Sequence, residues 1–225
     1  MRLGLFGGTF DPVHLGHLRS AEEVKEEYAL DEVSFVPCGV PPHRSGRPGA
    51  APQHRLEMVR LAVADRPGLG VSDIEVARPG ASYSIDTVRH FLTTLGPGDD
   101  LFLILGLDAF LLIGSWKDWR ELLSLAHVIV TSRPGFGDEL PYEKIPVVVR
   151  EAFCYHAFRF EGPVRSGFRN ELGKEILFKR LTDVSVSASA IRELLGKGKS
   201  IRGLVPSEVQ RYVEDQNLYN EPPES

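Results

Sequence analysis

At 225 residues, with 42% hydrophobic and 25% charged side chains, the chain has the make-up of an ordinary globular protein and length enough to bury a core. Its net charge of -5 disfavours a general nucleic-acid or membrane-surface binder but leaves room for a local basic pocket for phosphates. The two cysteines, Cys38 and Cys154, have no metal-type spacing, so bystander thiols in a reducing cytoplasm are expected rather than a disulfide framework.

The apolar start at residues 1–6 is too short for a signal peptide, and no segment reaches the roughly 20 apolar residues of a membrane span. Residues 3–6 read as a short buried strand stopped by Gly7 and Gly8. Residues 18–30 place Leu18, Ala21, Val24 and Tyr28 at helical spacing. A second strand at 33–36 closes at Pro37, and a loop of Gly, Pro and Ser runs over 39–52. Residues 55–64 read as helix and 69–76 as strand. Ser84 reads as the cap of a helix carrying Ile85, Val88, Phe91, Leu92 and Leu95. The continuous apolar run 101–105 predicts a strand buried on both faces. A helix over 118–125 and another strand at 128–131 follow.

This alternation predicts a Rossmann-like α/β fold, a doubly wound parallel sheet with right-handed crossovers, in one domain spanning 1–225. Residues 1–183 form its core, with 134–183 unassigned apart from β-leaning patches at 147–149 and 176–178. Residues 184–225 form a small helical subregion, with helices near 189–195 and 207–215.

The stretch Gly7-Gly8-Thr9-Phe10-Asp11-Pro12-Val13-His14-Leu15-Gly16-His17 lies between the first strand and the first helix, where doubly wound sheets bind ligands. Two glycines let a ligand approach the backbone, and a helix start offers N–H groups to an anion. His14 and His17, three apart, share one side of that start and suit charge building on phosphoryl oxygens. The loop does not match G-x-G-x-x-G, which weighs against a dehydrogenase.

The stretch from Gly8 to His17 resembles the H-x-G-H motif of the nucleotidyltransferase superfamily, which leaves the acceptor open. Further stretches resemble bacterial nicotinate mononucleotide adenylyltransferases. Pro41-Pro42-His43-Arg44 is similar to the family's P-P-H-K, with Arg for Lys. Ser82-Tyr83-Ser84-Ile85-Asp86-Thr87 is similar to S-Y-T-x-D-T, which in the family lies against the nicotinate ring, although Ser84 or Asp86 equally suits a helix cap. Gly106, Asp108 and Trp116 match G-x-D…W, although Trp116, like Trp119, also suits core packing. Arg133 sits in a similar Arg-Pro-Gly and serves as a phosphate contact or a surface ion pair. Val186-Ser187-Ala188-Ser189-Ala190-Ile191-Arg192 is similar to I-S-S-T-x-I-R, with Ala188 where the family usually has Ser. The resemblance covers about 1–133 and 186–219.

The resemblance implies adenylyl transfer from ATP to nicotinate mononucleotide, releasing pyrophosphate, in NAD biosynthesis. The attack is in line, with no covalent enzyme intermediate. His14, His17 and Arg192 are the implied catalytic residues. ATP is expected on Gly7, Gly8, Thr9, Phe10, His14, His17, Gly106, Asp108, Ser187, Ser189 and Arg192. The mononucleotide is expected on Thr9, Phe10, Arg44, Ser82, Tyr83, Ser84, Thr87, Trp116 and Arg133. Mg²⁺ is expected on the substrate phosphates, with no metal ligand from the protein. The expected partners are the two small-molecule substrates, without nucleic acid or membrane; a homo-oligomer stays open. The rival readings are the same chemistry on nicotinamide mononucleotide or phosphopantetheine, and a silent nucleotide-binding module.

Overall fold

A computed structural model describes residues 1–42, 49–132, 144–159, 164–182 and 184–220. In chain order these form β1 (Arg2–Gly8), α1 (Leu15–Glu27), β2 (Glu32–Pro37), α2 (Pro52–Val63), β3 (Leu69–Val71), α3 (Ile74–Ala77), α4 (Ser84–Leu92), β4 (Asp100–Gly106) and α5 (Leu107–Leu111). A 3-10 turn (Ile113–Ser115) leads to α6 (Trp119–Leu125), β5 (His127–Ser132), α7 (Val147–Ala152), β6 (Cys154–Arg159), β7 (Val164–Arg169), β8 (Glu175–Arg180), α8 (Ala188–Gly196) and α9 (Ser207–Asp215).

The sheet order is β3-β2-β1-β4-β5-β8-β7-β6. β1, β4, β5 and β8 pair in parallel, with Leu3 opposite Leu101 and Val128 opposite Ile176. The order reverses direction at β1 and β4, the switch point where open α/β sheets place ligands beyond the strands' carboxyl ends. The Rossmann-like expectation therefore holds for these strands. Beyond β8 the sheet turns antiparallel, through β7 and then β6. Short connections cause this: residues 170–174 form a tight hairpin, with Gly173 at φ 78° and Asn170 N–H donating to the Lys174 carbonyl at 2.9 Å.

Four local readings change. Residues 147–149 were expected to lean towards strand, yet they begin helix α7, where Val149 is wholly buried and its N–H donates to the Pro146 carbonyl at 2.9 Å. Burial there outweighs the β preference of three valines. Of residues 69–76, only Leu69–Val71 is strand; Ala77 N–H reaches the Asp73 carbonyl at 2.8 Å and closes α3. Helix α1 starts at Leu15 and ends when Ala29 takes φ 47°, letting Leu30 N–H reach the Lys25 carbonyl at 2.9 Å. Ser84 is the first helical residue of α4 rather than its cap, a position that Tyr83 holds without a side-chain bond.

The chain divides into two compact units, each drawn from three segments. The first comprises Met1–Gly7, Glu23–Val33 and Tyr83–Asp183. Its core is the run of Leu101, Phe102, Leu103 and Ile104 with Val128, Ile129, Ile176 and Leu177, each at most 4% exposed. Such burial is worth about 1.5–3 kcal/mol per side chain. A Cβ on Gly4 would lie 2.9 Å from Leu30, so β1 tolerates only glycine at that crossing without repacking. The second unit comprises Gly8–Glu22, Ser34–Ser82 and Val184–Ser225. Val13, Leu18, Phe35, Met58, Val59, Ile191 and Val209 fill its core. There α2 packs on α9, and His54 Nδ1 and the Tyr212 hydroxyl meet at 2.9 Å.

Candidate active site

The second unit holds the histidine loop. His14 and His17 stack with ring centroids 3.6 Å apart and planes 20° from parallel. Each ring accepts a backbone N–H from the other residue: His14 N donates to His17 Nδ1 at 3.2 Å and His17 N to His14 Nδ1 at 3.3 Å. An Nδ1 that accepts carries no proton, so each neutral ring keeps its proton on Nε2. Two parallel N–H donors result, fixed by backbone before any ligand arrives.

The loop is held from beneath. Phe10 has φ 50°, a conformation that non-glycine residues seldom adopt, and its side chain is 2% exposed. Its ring packs edge-on against His17 at 5.0 Å and tilted on Phe35 at 5.3 Å. The Phe10 ring supports His17, which leaves the backbone of Phe10 for the substrate-lining role expected of it. A Cβ on Gly8 would lie 2.8 Å from that ring. Gly16 likewise leaves room for the His14 ring and Val186, each 3.1 Å from where its Cβ would stand. The α1 amides are also engaged: Leu15 N–H donates to the Leu204 carbonyl at 3.0 Å and Leu18 N–H to the His14 carbonyl at 3.3 Å.

Three residues that sequence reasoning passed over hold this region together. Arg55 is completely buried and donates to the carbonyls of Thr9 at 2.6 Å, Gly39 at 3.1 Å and Ala50 at 3.2 Å. Asp11 is 2% exposed; its carboxylate accepts from Gly49 N–H at 2.7 Å, Ala50 N–H at 3.0 Å and the Tyr219 hydroxyl at 2.8 Å. Burial, followed by the Asp11 charge and their hydrogen bond, pushes the Tyr219 phenol far above its ordinary range, so it remains a donor. Asp11 stood inside the motif without a role, and no spacing pattern pointed to Arg55 or Tyr219.

Arg192, on α8, donates from Nη1 to the Asp11 carbonyl at 2.6 Å, with Nη1 3.6 Å from the Asp11 carboxylate. Ser187 caps α8 by accepting Ala190 N–H at 3.2 Å, and its hydroxyl lies 3.2 Å from that of Ser189, which is exposed. His14, His17, Thr9, Phe10, Gly8, Arg192, Ser187, Ser189 and Ser82 all fall within this unit. The buried Ser82 hydroxyl accepts the N–H groups of Gly39 at 3.0 Å and Val40 at 3.3 Å, so it fastens the end of β2.

The first unit carries the others. Gly7 is the last residue but one of β1 and Gly106 ends β4, both exposed. Asp108 is exposed in α5, and Trp116 follows the 3-10 turn with its side chain partly exposed. Ser84 opens α4, and Thr87 is buried within it. Lys117 lies 4.8 Å above the Tyr83 ring and 3.1 Å from Asp86, tying the tryptophan segment to the start of α4. Arg44 and Arg133 lie outside the described residues. Among the described residues no group of three or more His, Cys, Asp or Glu could hold a metal ion, and no helix is long and apolar enough to cross a membrane.

A sheet with this order and a paired-histidine loop after β1 is the framework of a nucleotide-binding transferase. The family model described as cytidylyltransferase-like matches residues 5–194. A Desulfatibacillum aliphaticivorans protein named "Probable nicotinate-nucleotide adenylyltransferase" is 43% identical over 220 residues, covering 97% of this chain and 100% of its own. A Geobacter metallireducens protein of the same name is 43% identical over 219 residues, covering 97% and 98%. The chain belongs to the cytidylyltransferase-like family, among its nicotinate-nucleotide adenylyltransferases. The fold is shared with the Plasmodium falciparum nicotinic acid mononucleotide adenylyltransferase complexed with NaAD, at TM-score 0.70 and 18% identity over 99% of both chains.

Proposed function

We propose that this chain transfers the adenylyl group of ATP to nicotinate mononucleotide, giving nicotinate adenine dinucleotide and pyrophosphate. The observation that carries the chemistry is the His14–His17 pair, whose Nδ1 atoms accept backbone N–H groups and so leave both Nε2 atoms as donors. The choice of acceptor rests on the full-length relatives.

The acceptor's 5′-phosphate oxygen forms a bond to the α-phosphorus of ATP as the bond to the β-phosphate oxygen breaks. The nucleophile arrives ionised, so no general base is required, and catalysis is positioning and charge stabilisation. His14 and His17 donate to the phosphoryl oxygens on which charge builds. Ser187, Ser189 and Arg192 receive the departing β,γ end. Thr9 contributes backbone; Gly106 and Asp108 receive ribose hydroxyls; Tyr83, Ser84, Thr87 and Trp116 receive the pyridine end; Arg44 and Arg133 serve acceptor phosphate. Mg²⁺ would be held by the ATP phosphates and water, where it would supply charge neutralisation to the leaving group. The cytoplasm, where both substrates are found, is the proposed location.

Pyrophosphate release from ATP and Mg²⁺ tests this, with nicotinate and nicotinamide mononucleotides offered separately. Fast release with the acid and slow release with the amide is expected. Equal rates would keep the reaction and discard an acid-selective pocket near residues 82–87. Release with neither would overturn the reading.

A further inference from the structure

Asp11 is the one acidic side chain set inside the histidine loop, and it has no part in the chemistry above. Its carboxylate is filled by three neutral donors, from Gly49, Ala50 and Tyr219. The Tyr219 hydroxyl and Ala50 N–H sit on Oδ1 and Gly49 N–H on Oδ2, and Arg192 meets Oδ2 alone, at 3.6 Å through Nη1, which also donates to the Asp11 carbonyl. Among the described residues both contacts of the guanidinium use Nη1, and Nε and Nη2 remain to meet an anion. Gly49 makes this arrangement possible, since a Cβ there would lie 3.0 Å from the Tyr219 ring and 3.1 Å from Arg192 Cδ. Tyr219 itself has φ 64°, just past the end of α9, so the chain's C-terminal turn is bent to bring its hydroxyl to Asp11.

We infer that Tyr219 is a positioning residue for ATP: by occupying the Asp11 carboxylate it keeps Arg192 from closing a full ion pair and leaves the guanidinium edge turned to the β,γ-phosphates. This rests on the adenylyl-transfer reading and assigns a role to the C-terminal turn. Without the hydroxyl, Oδ1 keeps only the Ala50 N–H, and Arg192, already beside Oδ2, is drawn into an ion pair with both carboxylate oxygens. A guanidinium so paired binds phosphate less well. The cost falls on ATP and not on the acceptor.

Tyr219→Phe is made in the wild-type and Arg192→Ala backgrounds, and kcat, both KM values and Tm are measured. The expected result is a rise in KM for ATP of about tenfold, the scale of one hydrogen bond to a charged group. The KM for the mononucleotide and the Tm stay unchanged, and in the Arg192→Ala background the second substitution adds nothing. Asp11→Asn removes the charge that draws Arg192, so Tyr219→Phe combined with Asp11→Asn should return the KM for ATP towards the wild-type value, and this pair decides the matter if Tyr219→Phe alone fails to fold. An unchanged KM for ATP, equal rises for both substrates, or full additivity with Arg192→Ala would overturn the inference while wild-type activity stands. A wild-type protein that releases no pyrophosphate would overturn the underlying reading as well.

Discussion

Asp11, His14 and Arg55 are 2%, 4% and 0% exposed, whereas Gly106 and Asp108 in the other unit lie on the surface and Trp116 is partly exposed. In the first group polar atoms are fixed by backbone: the imidazoles exchange N–H bonds, and Arg55 ties Thr9, Gly39 and Ala50. In the second, the ties are cation-π and surface ion pairs, such as Lys117 with Tyr83 and Asp86. The difference suits the tasks proposed for them. Groups that stabilise charge in a transition state gain most when their orientation is set during folding, since nothing then has to reorganise during reaction. Groups that receive a ring or a ribose act through contact area and can stay open until the ligand covers them.

Four substitutions would break or sharpen this contrast. The largest effect is expected at Arg55. Arg55→Met leaves three carbonyls without their donor and should cost about 3 kcal/mol or more of stability, read by urea unfolding. A loss under about 1 kcal/mol would mean that the buried group is not held by this side chain.

Next is His17→Ala, which removes one prepared donor. Pyrophosphate release should fall by at least about tenfold with the fold intact by circular dichroism. A near-normal rate would remove the histidine pair from the mechanism.

On the open side, Trp116→Ala should raise KM for the mononucleotide about threefold to tenfold and leave stability nearly unchanged, the scale of an aromatic stacking contact. A large stability loss would instead make Trp116 a core residue, erasing the contrast between the units.

Smallest is Lys117→Met, which breaks an exposed ion pair with Asp86 and should shift stability by less than about 0.5 kcal/mol in a thermal melt. A larger shift would show that the surface ties are structural after all.

Much of this was legible in the sequence, for identifiable reasons. The runs at 101–105 and 128–130 are apolar at every position, so they read as fully buried strands, and the structure places them in β4 and β5. The histidine loop was legible because its glycines, its two imidazoles and its place after the first strand are all local features. Ser187 was legible as a helix start, because a hydroxyl that accepts the N–H of a residue three positions on is again local.

What failed depended on distance in sequence. The valines at 147–149 favour strand by themselves, and only the burial of Val149 makes them helix. That the Phe10 ring lies beneath the loop, against Phe35 and His17 and with φ 50°, is likewise not readable from its neighbours in sequence. Arg55 looks like an ordinary charged helix residue, and Tyr219 like part of a polar tail. Their roles exist only because folding brings Asp11, 208 positions from Tyr219, against residues that share no local pattern with it. The sequence by itself determined the alternation of elements and the paired-histidine loop proposed to carry the chemistry, because hydrophobic period, glycine and helix capping act over a few residues. The tertiary structure alone decided which buried polar groups satisfy one another, because a partner for a desolvated carboxylate or guanidinium is selected by proximity in space.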